Sequence, residues 1–155
     1  MKSRIEYHKN ARAMQAMLGL EHFVHDSGLE PLLLELVKMR ASQINGCAYC
    51  LDMHSKDARA QGETEQRLYG LSAWREAPYY SDRERAALEW TEAITDISTH
   101  DTPDELYAEL PRHFEEKALV DLTPAHRAIN DSDRPPVPPR AAPGSYPPQT
   151  TPTPN

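Results

Sequence analysis

Apolar residues in the first 130 positions of the chain recur every three or four residues, which is the period of an α-helix. Turn residues and prolines divide this pattern into a series of predicted helices. These cover 11–26, 31–45, 47–60 and 64–75, followed by helices that open at Ser81 and at Pro103 and by a last one, "EEKALVDL", that meets Pro124. Strict alternation of apolar and polar residues, the mark of a half-buried strand, is not strong anywhere. The sequence therefore predicts an all-α fold, a single-domain helical bundle.

Particular residues mark the ends of these helices. Pro31 fits the first turn of the second helix, and Asn45-Gly46 supplies its stop. Ser81 and Glu84, in "SDRE", form a capping box that opens the fifth helix. Pro111 interrupts the helix that starts at Pro103. The fifth helix is expected to carry one apolar face, made of Ala87, Trp90, Ile94 and Ile97.

Prolines divide the chain into two parts. Nine of its 14 prolines fall in residues 131–155. Such a segment cannot sustain a helix and has little apolar surface to bury. We therefore expect one helical domain over residues 1–130 and a Pro-rich, extended or disordered tail over residues 131–155.

The charge balance and the lack of long apolar stretches narrow the class of protein. The formal net charge is −7, with 24 acidic against 17 basic residues, which argues against a nucleic-acid or anionic-membrane partner. The sequence has no run of 18 apolar residues, and its first ten residues lack the apolar stretch of a secretory signal. We therefore expect a cytoplasmic protein, in which a close cysteine pair is more often catalytic or metal-binding than structural.

The stretch "INGCAYCLDMHSKDA" contains both cysteines of the chain, Cys47 and Cys50, and His54 follows them. On a helix these three side chains share one face, because Cys50 and His54 are spaced i, i+4 and Cys47 and His54 are spaced i, i+7. Glu35 lies about ten residues before the Asn45-Gly46 turn and His54 about eight after it. If the two helices are antiparallel, Glu35 and His54 lie within roughly 3 Å of the same height.

These residues have the chemistry that thiol-dependent redox catalysis needs. A thiolate attacks the O–O bond of a peroxide, His54 exchanges the proton, and Glu35 orients His54 or relays its proton. The helix dipole favours Cys47 as the attacking thiol, whereas proximity to the imidazole favours Cys50. The remaining histidines, including His126, are expected to be solvated.

Other uses of the same residues stay open at this point. Cys47, Cys50 and His54, with Glu35 as a fourth ligand, match the donors of a zinc site, although a lone CxxC is a weak zinc motif. The two cysteines also fit ordinary buried apolar positions. A dithiol of this kind serves equally well in a general thiol–disulfide oxidoreductase or a redox sensor.

The pattern E-x11-C-x-Y-C-x3-H, read as Glu35, Cys47, Tyr49, Cys50 and His54, resembles the active-site signature of the AhpD-like alkylhydroperoxidases of the carboxymuconolactone decarboxylase superfamily. The flanking sequence is similar to the single-domain branch of that family over residues 1 to about 130. A weaker similarity appears at "PGSYPP". After "LVDLT", where such proteins carry an apolar helix, this chain departs from the pattern with "PAHRAINDSDRPPVPPR".

The resemblance implies a helical bundle of the AhpD-like type that reduces alkyl or organic hydroperoxides without a cofactor or metal. It implies a redox-active Cys47–Cys50 disulfide in which Cys50 attacks the peroxide and Cys47 resolves it, with Glu35 and His54 as a proton relay. Tyr49 is expected to pack in the core, with a substrate contact as the alternative. A partner dithiol, often lipoyl-bearing, would reduce the disulfide, and the chain would form a homo-oligomer, a trimer or a hexamer. Decarboxylase activity is not expected, because that branch of the superfamily lacks the cysteine pair.

Overall fold

The structure is a computed structural model that describes residues 11–99, 101–133, 143–144 and 146–148. In this part of the chain the regular structure is helical, which confirms the all-α prediction. The α-helices are α1 (Ala11–His25), α2 (Pro31–Asn45), α3 (Ala48–Ala60), α4 (Glu65–Gly70), α5 (Asp82–Thr95), α6 (Asp104–Glu109) and α7 (Glu116–Asp133). Short 3-10 helices follow α4 at Leu71–Ala73 and α6 at Leu110–Arg112. None of the helices that the structure describes combines the length and the apolar character of a membrane span.

Helix α2 lies at the centre of the bundle. It packs against α3, α5 and α7, while α1 lies along α7. Its side chains supply both halves of the core: Leu33 and Val37 join a cluster with α1, α5 and α7, and Leu36 and Met39 join a cluster with α3, α5 and the loop after α4. Because α2 is buried on several sides, a polar side chain on it needs a partner in a neighbouring element.

The turn between α2 and α3 positions the segment that contains the cysteines. Gly46 ends α2 in the left-handed conformation, with φ 67°, which only glycine adopts without a steric penalty. The amide of Gly46 donates to the carbonyl of Gln43, and that of Cys47 donates to the carbonyl of Ser42 at 3.1 Å. Helix α3 therefore turns back along α2 after a two-residue connection.

The capping box predicted for α5 is present, but its predicted apolar face is only partly correct. The Ser81 side chain accepts from the Glu84 amide, and the Glu84 carboxylate accepts from the Ser81 amide. Ala87 is fully buried, whereas Ile97 is 59% exposed, because α5 ends at Thr95 before the pattern reaches it. The buried positions of α5 are Ala87, Leu88, Thr91, Ala93 and Thr95.

Two predicted helix ends were wrong. The segment predicted as one helix over 64–75 forms α4, which ends at Gly70, and continues as the 3-10 helix Leu71–Ala73. Helix α7 does not end at Pro124 but contains it and runs on to Asp133. Proline removes the bond that its amide would make to the carbonyl of Val120. Val120 is 63% exposed, so this missing bond lies in a part of α7 that faces solvent. Apolar side chains beyond Pro124, such as Ile129, are fully buried and anchor the rest of the helix.

The proposed division at residue 130 stays a prediction. Helix α7 extends to Asp133, inside the segment assigned to the tail, and most of that segment lies outside the described residues. Two short pieces of it are described, at 143–144 and 146–148.

Candidate active site

Cys47 and Cys50 are joined in a disulfide at the N-terminus of α3, with their Cα atoms 5.4 Å apart. Cys47 is the N-cap residue of α3, and its Sγ accepts a hydrogen bond from the Cys50 amide at 3.3 Å. The two residues are 1% and 2% exposed. The chain thus holds its two sulfurs in one buried, oxidised pair at the positive end of a helix dipole.

His54 and Glu35 form a buried pair one helical turn beyond Cys50. The Nδ1 atom of His54 lies 2.9 Å from Oε2 of Glu35. An ionised carboxylate only accepts hydrogen bonds, so Nδ1 carries the hydrogen and a neutral His54 keeps its lone pair on Nε2. That Nε2 is buried and has no hydrogen-bond partner in the described part of the chain. The arrangement offers a buried base one turn from a sulfur.

The cations next to Glu35 on α2 are engaged elsewhere. Lys38 binds Glu21 of α1 at 2.8 Å, and the Nε atom of Arg40 binds Glu92 of α5 at 2.8 Å. The Glu35 carboxylate instead accepts from His54 of the neighbouring helix. The pairing across the α2–α3 turn therefore agrees with the position predicted for Glu35 from its spacing to His54.

Asp57 is a further buried acid at this site that the sequence reasoning missed. One ligand atom from each of Glu35, His54 and Asp57 lies within 4.8 Å of the others. Asp57 follows His54 by three residues and Cys50 by seven, so its place on the same helical face could have been read from the sequence. It places a second carboxylate beside the imidazole.

A short piece of the C-terminal segment lies against α3 beside these residues. The Tyr146 hydroxyl donates to Oδ2 of Asp57 at 2.9 Å, and the Tyr146 carbonyl accepts from Lys56 at 3.1 Å. The Gly144 amide donates to Asp52 at 2.8 Å. Hydrogen bonds from Lys56 and then from Gly144 lower the pKa of Asp52. Sequence separations of 89 to 92 residues leave no local signal for these contacts.

The other site features predicted from the sequence are Tyr49 and a possible metal-binding group. Tyr49 is half-buried on α3 next to Cys50 and belongs to neither core cluster, so the expected core position is not found. Its contact with a substrate stays a prediction. In the disulfide form the two cysteines have no thiolates to offer a metal. Within the described residues, the donors that could hold an ion together are Glu35, His54 and Asp57, and a metal on Nδ1 would displace the hydrogen bond between His54 and Glu35.

Comparison with known proteins agrees with the sequence signature. The profile of the carboxymuconolactone decarboxylase family matches residues 9–93. The uncharacterised protein YdfG of Bacillus subtilis is 44% identical over 135 residues, which cover 86% of this chain and 92% of that protein.

Solved structures show the same fold. One is a protein of unknown function from Agrobacterium tumefaciens, assigned provisionally to antioxidant defence as AhpD. It is 42% identical, with a TM-score of 0.89, and the match covers 94% of this chain and all of that one. An uncharacterised peroxidase-related protein from Silicibacter shares the fold with a TM-score of 0.77 at 22% identity, over 87% of this chain and 72% of that one. By sequence, fold and cysteine motif, the chain belongs to the carboxymuconolactone decarboxylase family and is one of its AhpD-like members.

Proposed function

We propose that the chain is a thiol-dependent peroxidase that reduces alkyl or organic hydroperoxides. The observation that carries the proposal is a buried Cys47–Cys50 disulfide one helical turn from a His54–Glu35 pair. The unpartnered Nε2 of His54 adds to it, since a buried nitrogen without a partner costs stability and a catalytic role is one explanation for its retention.

The first step consumes the hydroperoxide. Nε2 of His54 takes the thiol proton of Cys50, and the thiolate attacks the O–O bond. The S–O bond forms as the O–O bond breaks, and the imidazolium returns the proton to the leaving alkoxide, which departs as an alcohol. Cys50 is oxidised to a sulfenic acid, and Glu35 stabilises the imidazolium during the exchange.

The second step closes the disulfide. The Cys47 sulfur attacks the sulfenic sulfur of Cys50, the S–O bond breaks, and the hydroxyl leaves as water with the Cys47 proton. A partner dithiol then reduces Cys47–Cys50 and is itself oxidised to a disulfide. Because both sulfurs are nearly inaccessible, a slender dithiol such as a lipoyl group suits this site better than a folded protein surface.

The same burial separates this proposal from a general thiol–disulfide oxidoreductase. Exchange with a protein disulfide needs the attacking sulfur to reach the surface of its partner. A small hydroperoxide can react with a less exposed sulfur, since only its O–O group must reach Cys50. We therefore place peroxide reduction ahead of protein disulfide exchange.

The test follows thiols and peroxide together after fully reduced protein is mixed with one equivalent of cumene hydroperoxide. The expected result is the loss of two thiols per peroxide and a fall in intact mass of about two hydrogens. Cys50→Ser abolishes turnover, and Cys47→Ser stops at a sulfenic acid that a dimedone adduct reports. Unchanged peroxide consumption in Cys50→Ser, or no consumption by the reduced protein, overturns the proposal.

A second set of variants addresses the proton relay. His54→Ala and Glu35→Gln should lower the rate constant for sulfenic acid formation, by about 10²-fold or more for His54→Ala. The matched control is His25→Ala, because His25 is an exposed histidine on α1. Thiols that react only after a chelator is added would favour a metal site over the peroxidase.

A further inference from the structure

The hydrogen bond between Tyr146 and Asp57 connects a buried acid of the candidate site to the far end of the chain. Asp57 is buried, and the Tyr146 hydroxyl donates to its Oδ2 at 2.9 Å. Two further hydrogen bonds, through the Tyr146 carbonyl and the Gly144 amide, hold this piece of the chain on α3. Tyr146 therefore has a defined place against the helix that carries the cysteines.

Asp57 matters to the site because it is a charged group close to the imidazole of His54. Glu35 of α2 accepts a hydrogen bond from His54, and Tyr146 donates one to Asp57. The titratable residues within four positions of His54 on α3 are Cys50, Asp52, Lys56 and Asp57, and Lys38 follows Glu35 by three positions on α2. Lys38 is paired with Glu21, and Lys56 is paired with Asp52. Glu35 and Asp57 are the acids grouped with the imidazole within 4.8 Å. An ionised carboxylate at such a distance from an imidazole favours the protonated ring as a general rule.

The Tyr146 hydroxyl acts on the carboxylate. A donor bonded to an ionised carboxylate favours the charged form, and the bond also fixes the orientation of the Asp57 side chain. Loss of this donor would leave a buried carboxylate short of a hydrogen bond, which favours its neutral form. The orientation of the Asp57 side chain and one of its hydrogen bonds therefore depend on a residue that is 89 positions away in the sequence.

We propose that Asp57 and Tyr146 are positioning residues of the site. Tyr146 holds Asp57 as an oriented carboxylate, and that charge favours the form in which Cys50 is a thiolate and His54 an imidazolium. This inference rests on the proposed roles of Cys50 and His54 and extends them to the C-terminal segment. In this proposal both residues act through His54, and neither forms or breaks a bond in the reaction.

The test measures alkylation of a single thiol as a function of pH. In a Cys47→Ser background Cys50 is the sole cysteine, since the chain has two, and iodoacetamide addition is followed by intact mass from pH 5 to 9. Asp57→Asn should slow alkylation at pH 6 by about tenfold or more, and Tyr146→Phe by about threefold. Both profiles should move to higher pH and reach the plateau of the parent protein, whereas general damage to the site would lower the plateau itself.

Two comparisons make the test specific. Tyr69 offers a matched control, because its hydroxyl also donates to a carboxylate, that of Glu65, at 3.1 Å on the exposed face of α4. Tyr69→Phe should leave the profile in place. In the Asp57→Asn background Tyr146→Phe should add nothing, since its effect passes through that carboxylate. The inference is overturned if Tyr146→Phe slows alkylation as much in the Asp57→Asn background as it does alone. It is also overturned if neither Asp57→Asn nor Tyr146→Phe moves the pH profile.

The same assay separates this inference from the proposed function. His54→Ala in the Cys47→Ser background should slow alkylation at pH 6 more than either positioning variant. If His54→Ala has no effect, the proposed roles of Cys50 and His54 fail together with the inference. If His54→Ala slows alkylation and Asp57→Asn does not, the inference alone fails.

Discussion

His126 provides a direct test of the buried polar core on α7. It is fully buried, contrary to the solvated position expected from the sequence. Its Nδ1 donates to the carbonyl of Leu122 at 2.6 Å, and its Nε2 lies 2.8 Å from the hydroxyl of Thr91 on α5. Thr91 is itself fully buried. The imidazole therefore links α7 to α5 inside the core, in its neutral form.

The size of the effect follows from the pKa of His126. Burial lowers this pKa from 6.5 to about 4, against a smaller opposing effect of the hydrogen bond to Leu122. The unfolded chain therefore binds a proton at His126 below about pH 6.5, whereas the folded chain binds it only below about pH 4. Stability is fully present above pH 6.5 and falls as the pH drops through this window. The loss amounts to about 2 kcal/mol by pH 5 and about 3 kcal/mol by pH 4.

Urea unfolding at fixed protein concentration, at pH 7.5 and at pH 5, measures this loss. His126→Gln keeps a neutral polar side chain, so its free energy of unfolding should fall by about 2 kcal/mol less between the two pH values than that of the parent. Carboxyl groups titrate mainly below this interval, so they contribute little to the difference. His25→Gln serves as the control, because it makes the same substitution at a histidine whose side chain is 83% exposed. Parallel pH dependences in the parent and His126→Gln would refute the reasoning.

Other predictions concern stability and use the same urea titration at pH 7.5. Gly46→Ala should cost about 1 kcal/mol, since Gly46 has φ 67°; an unchanged midpoint would mean that the turn relaxes. Ser81→Ala removes the N-cap of α5 and should also cost about 1 kcal/mol, with Ser81→Thr restoring most of it. Leu88→Ala, at a fully buried position, should cost about 2–5 kcal/mol, and a loss below 1 kcal/mol would contradict the packing. Glu92→Ala leaves three donors without their acceptor and should cost about 1–3 kcal/mol, whereas a neutral result would show that these donors find other partners.

The elements set by local chemistry could be predicted from the sequence. Gly46 and Pro31 mark the ends of α2, and the rise per residue placed Glu35 level with His54 across the turn. The observed Nδ1–Oε2 distance of 2.9 Å agrees with that arithmetic. Each of these inferences needed only neighbours in the chain or one short helical hairpin.

The features that the sequence did not reveal depend on packing between distant segments. Pro124 looked like a helix end, yet α7 continues because the side chains beyond it are buried against the core. His126 looked polar and exposed, but that same continuation brings it against Thr91. Tyr146 lies in a Pro-rich stretch with no periodicity, and only the folded chain brings its hydroxyl to Asp57. Propensity and spacing carry no information on such contacts, since tertiary packing overrides them.

Different parts of the fold position the catalytic residues of the proposed chemistry and the neighbouring acid Asp57. Glu35 lies on α2, the helix held by α3, α5 and α7, so the acid that orients His54 is fixed by the core and has little freedom to move. The disulfide sits at the N-terminus of α3, directly after the Gly46 turn, where thiols benefit from the helix dipole. Asp57 lies on the same helix and accepts a hydrogen bond from Tyr146 of the C-terminal segment. We therefore infer that a change in the C-terminal segment acts on the site through the hydrogen bond to Asp57, whereas α2 and α3 position Glu35, His54 and the cysteines.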